Sequence, residues 1–245
     1  MRVLVTRPEP DAQRTAERLR AAGFEPIVLP VSRRVGDPAA LEAAVSRPVC
    51  ALALTSRNAA RVLAEAPAAR EAWHALPVFT VGEGTAAAAR EAGFDDIVTS
   101  GGTGEALAAT IARLGVARET APLAYCAGRP RSVVLEGRLA AFRVPFIAID
   151  CYAMESVRHS AQALEAMLFD GGAVEAAVFY SAESAKRFFA LLRHADLSDR
   201  FAPLCIPCMS ERVAAAVPER FRAAVCLAER PEEGHLLEIL AAMRD

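Results

Sequence analysis

The sequence predicts an α/β fold: two similar parallel-sheet α/β lobes joined by a two-stranded extended hinge, with a cleft between them. Three observations carry that expectation. Short β-branched or aliphatic runs each lead through a polar turn into a helical pattern, the rhythm of parallel sheets covered by helices. The rhythm returns after roughly half the chain, too long a period for a solenoid. Two extended stretches, at about 30–37 and 146–156, lie where a pair of chain crossings between lobes would fall.

Taken in order, Val3-Leu4-Val5 enters the turn Thr6-Arg7-Pro8-Glu9-Pro10. Ala12, Ala16 and Leu19 then follow at helical spacing until Gly23 stops them. Ile27-Val28-Leu29 is the next strand. Pro30 through Pro38 is extended and hostile to helix. Cys50–Leu54 meets Thr55-Ser56-Arg57-Asn58 and a helix through Val62-Leu63, and Val78–Val81 meets Gly82-Glu83-Gly84-Thr85 and an alanine-rich helix ending at Gly93. Ile97-Val98 leads to Ser100-Gly101-Gly102-Thr103-Gly104 and a helix through Leu107, Ile111 and Leu114. Leu123–Cys126 leads to Ala127-Gly128-Arg129-Pro130 and another helix. Phe146–Met154 is a long run without turn residues. Ala176–Ser181 with its helix echoes the segment ending in Thr55-Ser56, and Pro203–Ile206, with a helix from about Ser210, echoes Pro77–Thr80. If the two extended stretches pair, the first βα unit belongs with the C-terminal lobe. The expected domains are therefore 1–33 with 155–245, discontinuous, and an inserted 36–150.

Composition narrows the class. The chain has 245 residues, 53% hydrophobic and 24% charged, with 28 Lys+Arg against 30 Asp+Glu. A net charge of −2 argues against a nucleic-acid binder that relies on bulk positive charge. The apolar runs fall short of a membrane span, and Val3-Leu4-Val5 before Thr6-Arg7 makes no secretory core, so a cytoplasmic protein is expected. Lys186 is the single lysine, on the polar side of a predicted helix, which disfavours Schiff-base chemistry.

Most catalytic constellations are absent. His74, His159, His194 and His235 are isolated, so no metal site is expected. Gly82-Glu83-Gly84-Thr85-Ala86-Ala87 resembles a dinucleotide fingerprint, but Val98-Thr99-Ser100-Gly101 lacks the acid such a site needs. Its glycines still suit close approach of an anion to a helix N-terminus. Cys205-Ile206-Pro207-Cys208 has redox spacing, yet Cys205 alternates with Leu204 and Ile206 as a buried strand residue does and the flanks are wrong for a thioredoxin. More informative are the turns. Thr6-Arg7, Ser56-Arg57-Asn58, Gly84-Thr85, Gly101–Gly104, Gly128-Arg129, Ser181 and Ser210 all fall at predicted strand C-termini, the ligand-binding edge of open α/β sheets. Any one hydroxyl there is explained as a helix cap. The set suits an extended polycarboxylate held by backbone N–H groups. The residues alone leave open a two-lobed anion-binding protein and a nucleotide-dependent oxidoreductase.

An ordered set of segments is more specific. Leu4-Val5-Thr6-Arg7-Pro8, Thr55-Ser56-Arg57-Asn58-Ala59, Val81-Gly82 with Thr85-Ala86, Ala127-Gly128-Arg129, Tyr152 and Tyr180-Ser181 resemble uroporphyrinogen-III synthase along essentially the whole chain. The resemblance implies two α/β lobes joined by a two-stranded ladder, and cofactor-free closure of hydroxymethylbilane to uroporphyrinogen III with the last ring inverted and water lost. That reaction serves haem, sirohaem and cobalamin synthesis. It further implies Tyr152 as proton or hydrogen-bond donor to the departing hydroxyl and Thr85 as a second catalytic residue. Arg7, Ser56, Arg57, Gly82, Gly128, Arg129, Ser181 and Ser210 would contact substrate carboxylates. The family often has Gly and Thr where this chain reads Ile206-Pro207-Cys208-Met209-Ser210, and Pro207 removes one N–H donor. A monomer is expected, taking its substrate by transient hand-over from the preceding deaminase, with neither nucleic acid nor membrane as partner.

Overall fold

The computed structural model describes residues Met1–Met243. The chain divides into two compact units, one of Met1–Arg33 with the residues from Glu155 onward, the other of Arg34–Met154. The elements in chain order begin with β1 (Arg2–Val5), α1 (Asp11–Ala21), β2 (Glu25–Val28) and β3 (Ser32–Gly36). They continue with α2 (Pro38–Ala44), β4 (Ala51–Leu54), α3 (Arg57–Ala64), α4 (Pro67–Trp73), β5 (Val78–Thr80), α5 (Glu83–Glu91), β6 (Ile97–Thr99), α6 (Gly104–Leu114), β7 (Leu123–Arg129), α7 (Val134–Ala141) and β8 (Phe146–Ser156). The remainder comprises α8 (Ala161–Phe169), β9 (Ala176–Val178), α9 (Ala182–His194), β10 (Ile206–Cys208), α10 (Glu211–Ala214), a 3-10 turn (Glu219–Ala224), β11 (Val225–Leu227) and α11 (Glu233–Ala242).

In the second unit the sheet runs β3-β8-β7-β4-β5-β6, and β8 through β6 are mutually parallel. Every residue of β4 is buried because helices cover both faces. Leu52 and Leu54 pack with α3 and α5, while Ala51 and Ala53 pack with α6 and α7. Helix starts follow the capping chemistry of the turns. Ser56 accepts the Asn58 N–H at 3.1 Å to open α3, and Thr103 accepts the Ala106 N–H at 3.1 Å to open α6, which closes on left-handed Gly115.

In the first unit β2, β1 and β9 are parallel. Parallel bridges from Ala176 to Cys205 and from Phe179 to Cys208 extend that sheet to the pair β10-β11. Its order is therefore β2-β1-β9-β10-β11. The second unit's β8-β7-β4-β5-β6 is the same spatial arrangement, circularly permuted in chain order. The repeat extends to the caps, since Ser181 accepts the Ser184 N–H at 3.1 Å just as Ser56 caps α3. Phe179, Phe188, Phe189, Phe201 and Phe221 fill one side of this sheet with ring centroids 5.1–6.3 Å apart.

Several places differ from the sequence reading, among them β7, which runs on through Gly128 and Arg129 where the reading put a turn. The stretch expected to stay extended to Pro38 turns helical there, because Asp37 accepts the Ala40 N–H at 3.1 Å and Pro38 occupies the first helical position. The strand expected at Pro203–Ile206 begins only at Ile206 and runs through Cys208, after a loop that leaves Leu204 exposed. Hydrophobic pattern marks neither β11, three residues long with none of them fully buried, nor α4.

Phe188 is fully buried at the centre of the aromatic cluster. Phe188→Ala is expected to destabilise the protein by about 3–5 kcal/mol, measured as a shift of the urea midpoint at unchanged slope.

Candidate active site

In both sheets chain order reverses beside one strand pair, β4 and β7 in the second unit and β1 and β9 in the first. Ligands of open α/β sheets bind at such switch points, beyond the strand C-termini. The segments Thr55-Ser56 and Gly128-Arg129 flank the first, and Thr6-Arg7 and Tyr180-Ser181 the second. Four of the seven segments singled out from sequence therefore lie at the switch points.

The second unit's switch point carries Tyr152. Along β8, Ile147, Ile149 and Cys151 face α3 and α5, while Phe146 faces the other core. Regular alternation would send Tyr152 with Phe146. Instead Ala127 pairs with Asp150 and Gly128 with Tyr152, leaving Cys151 as a bulged residue that turns Tyr152 onto the α3 face. The ring then lies against the Gly128 backbone so closely that a Cβ there would overlap it. A hydrogen bond joins the phenol to Ser56. Burial raises the Tyr152 pKa above the usual tyrosine value, and the Ser56 bond offsets part of that rise, so the phenol is protonated at neutral pH.

Thr85 is buried on α5, on the same face of the sheet. The helix cap is Gly82, so Thr85 is the third helical residue rather than a cap, and Gly82 caps with its carbonyl alone, accepting the Thr85 and Ala86 N–H groups at 3.0 and 3.1 Å. With no side-chain cap bond on this helix, its first amides carry the positive end of the dipole to the rim. The Arg57 stem passes 3.8 Å from where a Gly84 Cβ would stand. On the opposite face, Asp150 holds Arg129 at 3.3 Å and also pairs with Arg131, which reaches Glu136 at 2.8 Å. Sequence reading missed Asp150 and Arg131. A lone acid two residues before Tyr152 in an apolar run was the available signal.

The first unit's switch point is filled by the protein itself. Arg7 is nine-tenths buried, stacks 4.0 Å over the Tyr180 ring and pairs with Asp11 at 3.3 Å and Glu233 at 3.2 Å. Glu233 also accepts from Thr15 at 2.6 Å and Tyr180 at 2.7 Å, and pairs with Arg18. Arg7, which the resemblance implies as a substrate contact, here meets two carboxylates and a ring of its own unit. Glu233 opens α11, too far from any motif to be found by pattern. Burial pushes its carboxyl up, but the Thr15 and Tyr180 hydrogen bonds and the two arginines outweigh that and hold its pKa below the usual value. Ser181 is exposed and caps α9, whereas Ser210 precedes the four-residue α10 without a side-chain cap bond. Among the described residues no His, Cys, Asp and Glu cluster fits a metal.

The family model described as uroporphyrinogen-III synthase HemD matches residues 13–238. The chain belongs to the uroporphyrinogen-III synthase family. Its function is accordingly that of a cyclising hydro-lyase, which closes the linear tetrapyrrole hydroxymethylbilane to uroporphyrinogen III with inversion of the terminal ring and loss of water. Among solved structures, uroporphyrinogen-III synthetase from Helicobacter pylori is 17% identical with a TM-score of 0.64 over 99% of both chains. A mutant uroporphyrinogen III synthase from the extremely thermophilic bacterium Thermus thermophilus is 19% identical with a TM-score of 0.59, over 100% of this chain and 97% of the other. At these identities the likeness concerns the synthase fold. No curated protein matches the chain significantly.

Each switch point can be tested through its own titrating group. Burial raises the pKa of each of the three tyrosines, Tyr125, Tyr152 and Tyr180. Gly128→Ala is expected to expel the Tyr152 ring, cost about 1–3 kcal/mol, and leave one phenol titrating near the ordinary value of about 10 in an ultraviolet titration where the parent shows none. Glu233→Gln tests the other switch point. A depressed carboxyl pKa stabilises the fold above the unfolded value of 4.5 and loses that contribution as pH falls through the folded value. The variant should therefore be about 1–3 kcal/mol less stable at pH 7, with the difference shrinking below pH 4.5 in paired urea melts.

Proposed function

We propose that this chain performs the synthase reaction mainly by holding its substrate, with Tyr152 as the one group that transfers a proton. The observation that carries this reading is the protonated phenol fixed over Gly128 at a switch point and bonded to Ser56. The Ser56 hydroxyl oxygen already accepts the Asn58 N–H, so its hydrogen is available to the Tyr152 oxygen. Tyr152 keeps its own proton for the hydroxyl that leaves hydroxymethylbilane as water. Loss of that hydroxyl generates an electrophilic methylene. Ring closure at the substituted position of the last pyrrole then requires that the flexible chain be folded against its easier course, which is a task of orientation.

Carboxylate recognition falls to the rim. Thr85, Gly82 and the uncapped start of α5 suit one acetate or propionate group, and Ser56, Arg57, Gly128 and Arg129 suit others. Ser181 and Ser210 are the corresponding candidates on the first unit's rim. Arg129 stays more than half exposed while Asp150 fixes its bearing, which suits a cation that reaches outward. The protein acts as a cytoplasmic monomer in this proposal and receives the short-lived substrate from the deaminase that makes it. Among the described residues no helix is long and apolar enough to cross a membrane.

The test supplies freshly generated hydroxymethylbilane with and without the protein and separates the oxidised porphyrin isomers. Isomer III only in the presence of protein is the expected result. Tyr152→Phe should lower kcat/KM by about tenfold to a hundredfold and Ser56→Ala by less, with isomer III still made by both. Complete loss in folded Ser56→Ala protein contradicts catalysis by positioning. KM should rise with salt, and a constant value across a wide range of ionic strength argues against polycarboxylate recognition.

A further inference from the structure

The C-x-x-C spacing that leads into β10, discounted as a redox pair from the sequence, does not put its two cysteines on one face. On a strand, residues three apart face opposite sides. Cys208 packs with Ile206 and Phe179 in the aromatic core, whereas Cys205 packs with Val3 and Val178 on the other face. The sulfur beside Cys205 comes from β11. Pro207 pairs in register with Cys226, which puts Cys226 on the face shared by Cys205 and Pro207, and the Cys205 and Cys226 Sγ atoms are 3.2 Å apart. All six cysteines are free thiols.

We propose that Cys205 and Cys226 form a reversible oxidation site, converted by a peroxide to an intramolecular disulfide that ties β10 to β11. A disulfide holds its sulfurs about 2.05 Å apart, so closure needs roughly 1 Å of approach, within reach of side-chain rotation. Access sets the order of events. Cys205 is fully buried and Cys226 is partly exposed, so the oxidant meets Cys226 first. The Cys226 sulfur attacks one peroxide oxygen, the O–O bond breaks, and the departing hydroxide takes the proton of the Cys226 thiol, which leaves a sulfenic acid and one water. The Cys205 sulfur then attacks the sulfenic sulfur. The S–S bond forms, the S–O bond breaks, and the departing hydroxide takes the Cys205 proton. Two thiols and one peroxide thus give one disulfide and two waters. Burial pushes the Cys205 thiol up to about 12, which makes the second step slow in rate. Adjacency rather than acidity drives it.

The experiment exposes the folded full-length protein to dilute hydrogen peroxide, blocks remaining thiols, and reads intact mass and peptide map. A loss of about 2 Da, two hydrogens, with the peptides of residues 205 and 226 cross-linked and released by a dithiol reductant, is expected. The cross-link should persist in Cys208→Ser and Cys50→Ser and vanish in Cys226→Ser. Because it closes a loop of about 20 residues, the oxidised form should melt several degrees higher. Sulfinic acid at Cys226 without a cross-link, a link between Cys205 and Cys208, or no oxidation at Cys226 each overturns the proposal. The wild-type peptide map decides among these by itself, so a variant that fails to fold does not block the test.

Discussion

One extra residue in β8 decides where the candidate chemistry sits. Without the bulge at Cys151, Tyr152 would lie on the α6–α7 side of the sheet, with Phe146, and could not meet Ser56. With it, the ring lands on Gly128, the residue of β7 where an absent side chain leaves room. Cys151 is held in place by the core on one side and by bonds on the other, since its Sγ–H reaches the Ala127 carbonyl at 3.4 Å and its own carbonyl accepts the Asp37 N–H at 2.7 Å. Glycine, bulge and hydroxyl form a single geometric requirement.

The same arrangement of strands is put to different use in the two units. Where the second unit sets a phenol and an uncapped helix start, the first sets Arg7 against Tyr180 and ties both to Glu233. A half-buried carboxylate with four partners holds together the ends of β1, β9, α1 and α11, elements far apart in sequence. The internal repeat therefore survives in the caps, Ser56 and Ser181, while the side chains above them have diverged. In the first unit the arginine, the phenol and Glu233 are tied to one another, whereas Ser181 stays exposed at the same edge.

Much of this was legible in the sequence, for stated reasons. The β-turn-α rhythm is local, so β4, β5 and the start of β7, and the Ser56 cap after β4, were visible from short windows. Tyr152 and Gly128 were marked by resemblance, but their contact depends on a register shift that no hydrophobic pattern records. Arg7 looked like an outward-facing cation because its acids, Asp11 and Glu233, lie on two helices, the second at the far end of the chain. Cys205 was read as buried, as it is, but the sulfur beside it could not be read. Its neighbour is supplied by β11, a strand too short to be seen.

The charge pattern then explains how a protein of net charge −2 suits a polycarboxylate. Arg7, Arg129 and Arg131 on the two rims all have carboxylate partners of their own, so rim cations neutralise the protein's acids before any ligand arrives. What remains for recognition in the proposed site is directional: the first amides of α5 behind Gly82, the Thr85 hydroxyl, and the exposed end of Arg129. Directional donors act at short range and are specific to position, whereas a cationic surface attracts carboxylates without regard to fold. A reaction whose difficulty lies in which end of a pyrrole meets the methylene gains from the first kind of recognition. Bulk positive charge would strengthen binding of the wrongly folded substrate as much as the right one, and would leave the isomer ratio where it was.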